Sequence, residues 1–85
     1  MAITREDLVG WLVREHGLAE AELADDTPLF SSARLDSHAM VDLLGFLETA
    51  TGRAPRWMDV NLENMDSVAR ILAYANKGST HPEGS

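Results

Sequence analysis

Cysteine is absent from the chain. That excludes a disulfide framework, a thiolate metal site and a cysteine nucleophile. Basic residues are scarce, with 7 Lys and Arg against 14 Asp and Glu and a formal charge of −7. Nucleic acid is disfavoured as a partner, because counterion release needs Lys and Arg gathered on one face. Anionic membrane surfaces are disfavoured for the same reason. No apolar run approaches the roughly 18 residues that span a bilayer. The opening residues Met1-Ala2-Ile3-Thr4 lead directly into charges and form no secretory apolar segment, so cytoplasm is the expected compartment. Strand-like alternation, internal repeats and extended low-complexity segments are all missing. With 85 residues the chain makes one domain, and 45% hydrophobic content is enough for a core. The stability expected for such a length is about 4–11 kcal/mol.

What is present reads as helices. Thr4-Arg5-Glu6-Asp7 has the form of a capping box. Leu8, Trp11, Leu12 and Val13 follow at helical spacing, with Val9 widening the stripe, and Gly17 suits the C-terminal cap. A helix over 4–16 is predicted, with Trp11 in its core stripe. Residues 18–35 read as a long loop with a helical turn around Ala19–Leu23, and loops of that length are often functional. Asp36 is placed to cap a helix that meets no strong breaker until Gly52. Residues 53–60 form a connection in which Trp57 has no assignable position, and 61–65 a short helix. Asp66-Ser67 caps a last helix with Val68, Ile71, Leu72 and Ala75 on one side. Met40, Met58 and Met65 are expected as core filler. The tail 77–85 has no apolar residue and is expected to be disordered. The fold class is all-α: a small bundle of three main helices plus one short helix, with a long loop between the first two.

The charge is unevenly spread. Residues 19–50 carry a net −6, residues 1–18 a net −1 and residues 51–77 a net +1. An acidic middle serves either as a solvated face or as a docking surface for basic partners. The helix from 37 to 51 adds detail. At 100° per residue, Met40, Leu43, Leu47 and Ala50 lie within an arc of roughly 80°, the expected core stripe. His38, Asp42 and Thr49 point to the expected solvent side. Leu44, Ser37, Glu48 and Val41 share a third arc of roughly 60°. Either Val41 and Leu44 pack under a neighbouring element, or this arc is a docking strip with an apolar centre and an acidic rim.

Ser37 stands at the head of that strip. A serine at a helix start is ordinarily a cap, and Ser67 is a second one in the same Asp-Ser context. A helix N-terminus also favours a phosphodiester. Asp36 could there help hold the Mg²⁺ of a phosphate-transferring enzyme. Helix geometry disfavours a catalytic triad from Asp36, Ser37 and His38, since neighbours on a helix diverge by about 100°. No Gly-x-Ser-x-Gly elbow is present. His16, His38 and His81 lie in different parts of the chain, and no metal site is expected.

Asp36-Ser37, with Val41, Leu43, Leu47, Glu48 and Gly52 at these offsets, resembles the carrier proteins of fatty acid, polyketide and nonribosomal peptide synthesis. Asp26-Thr27-Pro28-Leu29-Phe30 is similar to that family's loop anchor. Met65-Asp66-Ser67-Val68 and Ile71-Leu72-Ala73-Tyr74 are similar to its last loop and helix. The resemblance covers about residues 4–76 and implies a carrier domain over 1–76. It implies that Ser37 bears 4′-phosphopantetheine, with Asp36 beside it, and that His38, Val41, Asp42, Leu44 and Glu48 meet partners. Those partners would be a phosphopantetheinyl transferase, an adenylating ligase or acyltransferase, and a downstream synthase. The protein itself would be non-catalytic and monomeric. His38 stands where the family usually has leucine, and Arg34 where it often has glycine. Arg53 and Arg56 follow the helix where many fatty-acid carriers stay acidic. These departures point away from a housekeeping fatty-acid carrier. The Leu29-Phe30-Ser31-Ser32 and Leu35-Asp36-Ser37-His38-Ala39-Met40-Val41-Asp42 stretches look more like free-standing carriers of polyketide or nonribosomal peptide pathways, including those that handle aminoacyl or β-aminoacyl units. The alternative is an acidic helical interaction module without a prosthetic group.

Overall fold

The computed structural model describes residues 2–77. Four α-helices make the bundle: α1 (Arg5–His16), α2 (Ser37–Thr51), α3 (Leu62–Met65) and α4 (Val68–Lys77). Single 3₁₀ turns occupy Glu20–Glu22 and Trp57–Asp59. Among the described residues there is no strand, and no helix is long and apolar enough to cross a membrane.

Local chemistry explains where the helices begin and end. Thr4 accepts the Asp7 amide while Asp7 accepts the Thr4 amide, which completes the expected capping box. Gly17 closes α1 at φ 68° and Gly52 closes α2 at φ 81°, left-handed positions that favour glycine. The expected turn near residue 20 is the first 3₁₀ turn. Lys77, placed in the tail on sequence grounds, ends α4 instead. The rest of that tail, 78–85, lies outside the described residues.

The core gathers side chains from every helix and from the long loop. Leu8 and Leu12 of α1, Leu43 and Leu47 of α2, Met65 of α3, and Val68 and Ile71 of α4 are buried. Each fully buried leucine contributes about 2 kcal/mol of hydrophobic stabilisation. Met40 and Ala50 flank the α2 stripe and are only half-buried. Met58 departs from its expected place in the core. It stands exposed on the second 3₁₀ turn beside Trp57, because the residue that this turn directs at the bundle is Asp59, held by Tyr74.

The loop between α1 and α2 is anchored along its length. Leu23, Leu29 and Leu35 are buried. Arg5 holds its first half, with Nη2 donating to the Leu23 carbonyl and Nε to Asp25, both at 2.6 Å. The Asp25 carbonyl accepts the Ala69 amide at 3.0 Å, tying the loop to α4. Asp66 holds the second half and accepts the amides of Leu29, Phe30 and Ser31. The Leu35 amide then donates back to the Leu29 carbonyl, closing a turn in which Ala33 takes φ 68°. This turn delivers the chain to Asp36 and the start of α2.

Candidate functional site

The site is built at the N-terminus of α2. Asp36 is the N-cap, and its Oδ1 accepts the Ala39 amide at 2.9 Å. That amide holds the Asp36 carboxyl below its ordinary range. Slight desolvation opposes the effect, and the charge of His38 adds to it. With its cap supplied by Asp36, α2 does not need the Ser37 hydroxyl. Ser37 is exposed, and its Oγ makes no hydrogen bond among the described residues.

Ser67, in the same dipeptide context, is arranged differently. It is buried, and its Oγ accepts the Arg70 amide at 3.1 Å as the cap of α4. Its neighbour Asp66 is consumed by the loop. Burial works to raise the Asp66 carboxyl, but the Ser31 hydroxyl and the amides of Ser31, Phe30 and Leu29 hold it below its ordinary range. Only one of the two Asp-Ser serines therefore presents a free nucleophilic oxygen.

Residues expected along the strip fall in three settings. Val41 points fully outward and is 68% exposed. Glu48 is exposed and makes no ion pair among the described residues. Leu44 is half-buried and packs against the core. His38 is exposed and lies 3.9 Å from Asp42 across one helical turn. Asp42 also faces His16 of α1, whose Nε2 is 3.5 Å away.

His38, Asp42 and Thr49 are all exposed, as expected of the solvent side of α2, and Asp42 meets α1 through His16. Trp11 of α1 stacks on Phe46 with ring centroids 4.8 Å apart, and the His16 ring meets Trp11 edge-on at 4.9 Å. The His16 Nε2 atom is buried there without a hydrogen-bond partner. Trp11, expected in the core, is half-buried at this α1–α2 seam. The exposure of Asp42 was legible in its helical angle, but its contact with His16 of α1 was not. Among the described residues no three His, Asp or Glu side chains form a metal site.

An exposed, unbonded hydroxyl at the positive end of a 15-residue helix suits a phosphodiester. The ionised Asp36 beside it would repel a bare anion, so the pairing suits a phosphate whose charge is shared with a divalent cation during transfer. The chain matches no protein-family model, no curated protein and no solved structure.

Proposed function

We propose that the protein is a non-catalytic carrier. In this reading Ser37 bears 4′-phosphopantetheine and holds an acyl or aminoacyl thioester for a polyketide or nonribosomal peptide pathway. The observation that carries it is the contrast between the two Asp-Ser dipeptides: Ser37 is exposed with a free Oγ, whereas Ser67 is buried as a cap. The bound group supplies a thiol on a flexible arm. The chain's own residues present Ser37 at the end of a helix capped independently by Asp36.

The mechanism is effective concentration, since tethering converts a dilute substrate into a local one. A phosphopantetheinyl transferase acts first, then an adenylating ligase or acyltransferase, then a downstream synthase. Weak docking through Val41 and Glu48, with Leu44 beneath and His38, Asp36 and Asp42 on the rim, allows these partners to exchange rapidly. Coenzyme A as donor places the work in the cytoplasm.

The test is intact-protein mass after incubation with coenzyme A and a promiscuous phosphopantetheinyl transferase. The wild type and Ser67→Ala are expected to gain one phosphopantetheine, and Ser37→Ala none. A gain that survives Ser37→Ala overturns the assignment. No gain at all, under conditions that modify a control carrier, would leave the helical interaction module as the better account.

A further inference from the structure

A second surface lies beyond α2, in the segment that joins it to α3. Trp57 is 86% exposed, Met58 69% and Leu62 50%, three large apolar side chains within six consecutive positions. Exposed hydrophobic clusters of this kind mark interaction sites when their backbone is fixed, because association then orders little. Here the backbone is fixed by Tyr74 of α4. Its hydroxyl accepts the Arg56 amide at 3.2 Å and donates to Asp59 Oδ2 at 2.9 Å, holding the 3₁₀ turn at both ends. Asn64 and Asn61 brace the turn further, their side-chain amides donating to the carbonyls of Asp59 and Met58.

The charge around this surface differs from that around Ser37. Arg53 and Arg56 are both exposed, and neither has a carboxylate within ion-pair distance among the described residues. The Arg56 guanidinium lies 3.3 Å from the Met58 sulfur, beside the apolar cluster. Asp59 is half-buried and turned onto Tyr74. Trp and Arg are the side chains that most often dominate binding energy at interfaces.

We infer that Trp57, Met58 and Leu62, flanked by Arg53 and Arg56, form a docking face for a partner protein segment that is apolar with a carboxylate rim. The face carries two exposed arginines, Arg53 and Arg56, at one end, with the exposed Glu63 beside Leu62 at the other, whereas α2 carries no lysine or arginine, so the two surfaces suit different partners. The docking face does not depend on whether Ser37 is modified. Two other occupants fit less well. A symmetric second copy would gather the arginines of both copies into one interface. An anionic bilayer would meet two arginines on a chain whose overall charge is −7.

Two synthetic amphipathic helical peptides test the proposal, identical on the apolar face and carrying either Glu or Lys on the polar face. Titration into the isotopically labelled protein is expected to shift amide resonances of residues 53–63. The Glu peptide should bind about tenfold tighter than the Lys peptide at low salt. Trp57→Ala should abolish the shifts with the helical circular dichroism unchanged, because the side chain is exposed. Arg53→Glu with Arg56→Glu should reverse the preference between the peptides. Equal binding, tighter Lys-peptide binding, shifts centred on residues 37–48, or no binding by either peptide overturns the proposal. So does a concentration-dependent dimer lost in Trp57→Ala. Binding of vesicles of equal parts phosphatidylcholine and phosphatidylglycerol, in place of the Glu peptide, overturns it as well. None of these outcomes bears on the mass gain at Ser37, so the two readings fail separately.

Discussion

Asp66 holds Ser31 twice, with Oδ1 accepting its amide at 2.9 Å and Oδ2 its hydroxyl at 2.6 Å. Together with the Leu29 and Phe30 amides, it ties the junction of α3 and α4 to the loop that leads to Ser37. Hydrogen bonds to an ionised acceptor are the stronger kind. Asp66→Ala is expected to lower stability by about 2–3 kcal/mol in urea denaturation. The carboxyl titrates lower in the folded chain than its unfolded value of 3.8. Its contribution is therefore complete above that value and is lost as pH falls through the folded one. The stability gap between wild type and Asp66→Ala should accordingly shrink below about pH 4. A gap that stays constant down to full protonation would contradict this account.

Ala33 occupies the left-handed region at φ 68° within the same loop. A side chain there costs roughly 1–2 kcal/mol, which glycine avoids, although glycine gives back part of this through unfolded-state entropy. Ala33→Gly is expected to raise stability by about 0.5–1 kcal/mol, read as a higher urea midpoint with an unchanged slope. A fall in the midpoint would show that the loop relies on some other restraint.

The boundaries of α1 and α2 were legible in the sequence because their determinants lie within four residues: Thr4 with Asp7, Asp36 with Ala39, and a glycine after each helix. Ser37 was legible as a candidate for the same reason. Its distinction from Ser67 was not, since that depends on Ser67 being buried by packing. Asp66 acting on Ser31 spans 35 positions and leaves no local pattern. The Trp57–Asp59 turn is equally silent, because three residues carry no periodicity and the Tyr74 that holds it comes from a later helix. Helical angles put Val41 outside the core stripe but left open whether it packs under a neighbour, and they could not foresee the His16 contact at Asp42.

Tyr74 gives a test of that turn. Burial, with the Asp59 carboxylate adding to it, raises the hydroxyl above its ordinary 10.0. The neutral, donating form is the one that holds the turn. Its contribution is full below the unfolded value and is lost as pH rises through the folded one. Tyr74→Phe removes both bonds and is expected to cost about 1–2 kcal/mol at neutral pH, with the difference from wild type closing above about pH 10. Amide exchange at Asp59 and Val60, whose N–H groups bond within the turn, should quicken in the variant. Unchanged exchange would mean that Asn61 and Asn64 hold the turn unaided.

Ser67→Ala should behave as a cap removal. The Arg70 amide loses its acceptor and Oγ leaves a buried site, so stability should fall by about 1 kcal/mol. The same variant should accept phosphopantetheine at the wild-type rate under native conditions. Ser37→Ala should show the converse, with near-wild-type stability because Asp36 already caps α2. If Ser37→Ala destabilised the chain as much as Ser67→Ala, the hydroxyl would have a structural duty that the free Oγ does not suggest.

Glu48 separates the two meanings of the acidic middle segment. It is exposed, unpaired among the described residues, and shares an arc of α2 with Ser37 and Val41. As part of a solvated face it would influence loading only through net charge, and any exposed carboxylate would count equally. As part of a docking strip it steers basic partners to Ser37, and its removal acts on the association rate. Glu48→Lys is expected to slow phosphopantetheinyl transfer by about three- to tenfold at low salt and to flatten the salt dependence of the rate. Glu20→Lys changes the overall charge by the same amount on the first 3₁₀ turn, far along the loop from Ser37. It is expected to leave the rate within about twofold of wild type. Equal slowing by both substitutions would assign the effect to net charge and remove Glu48 from the strip.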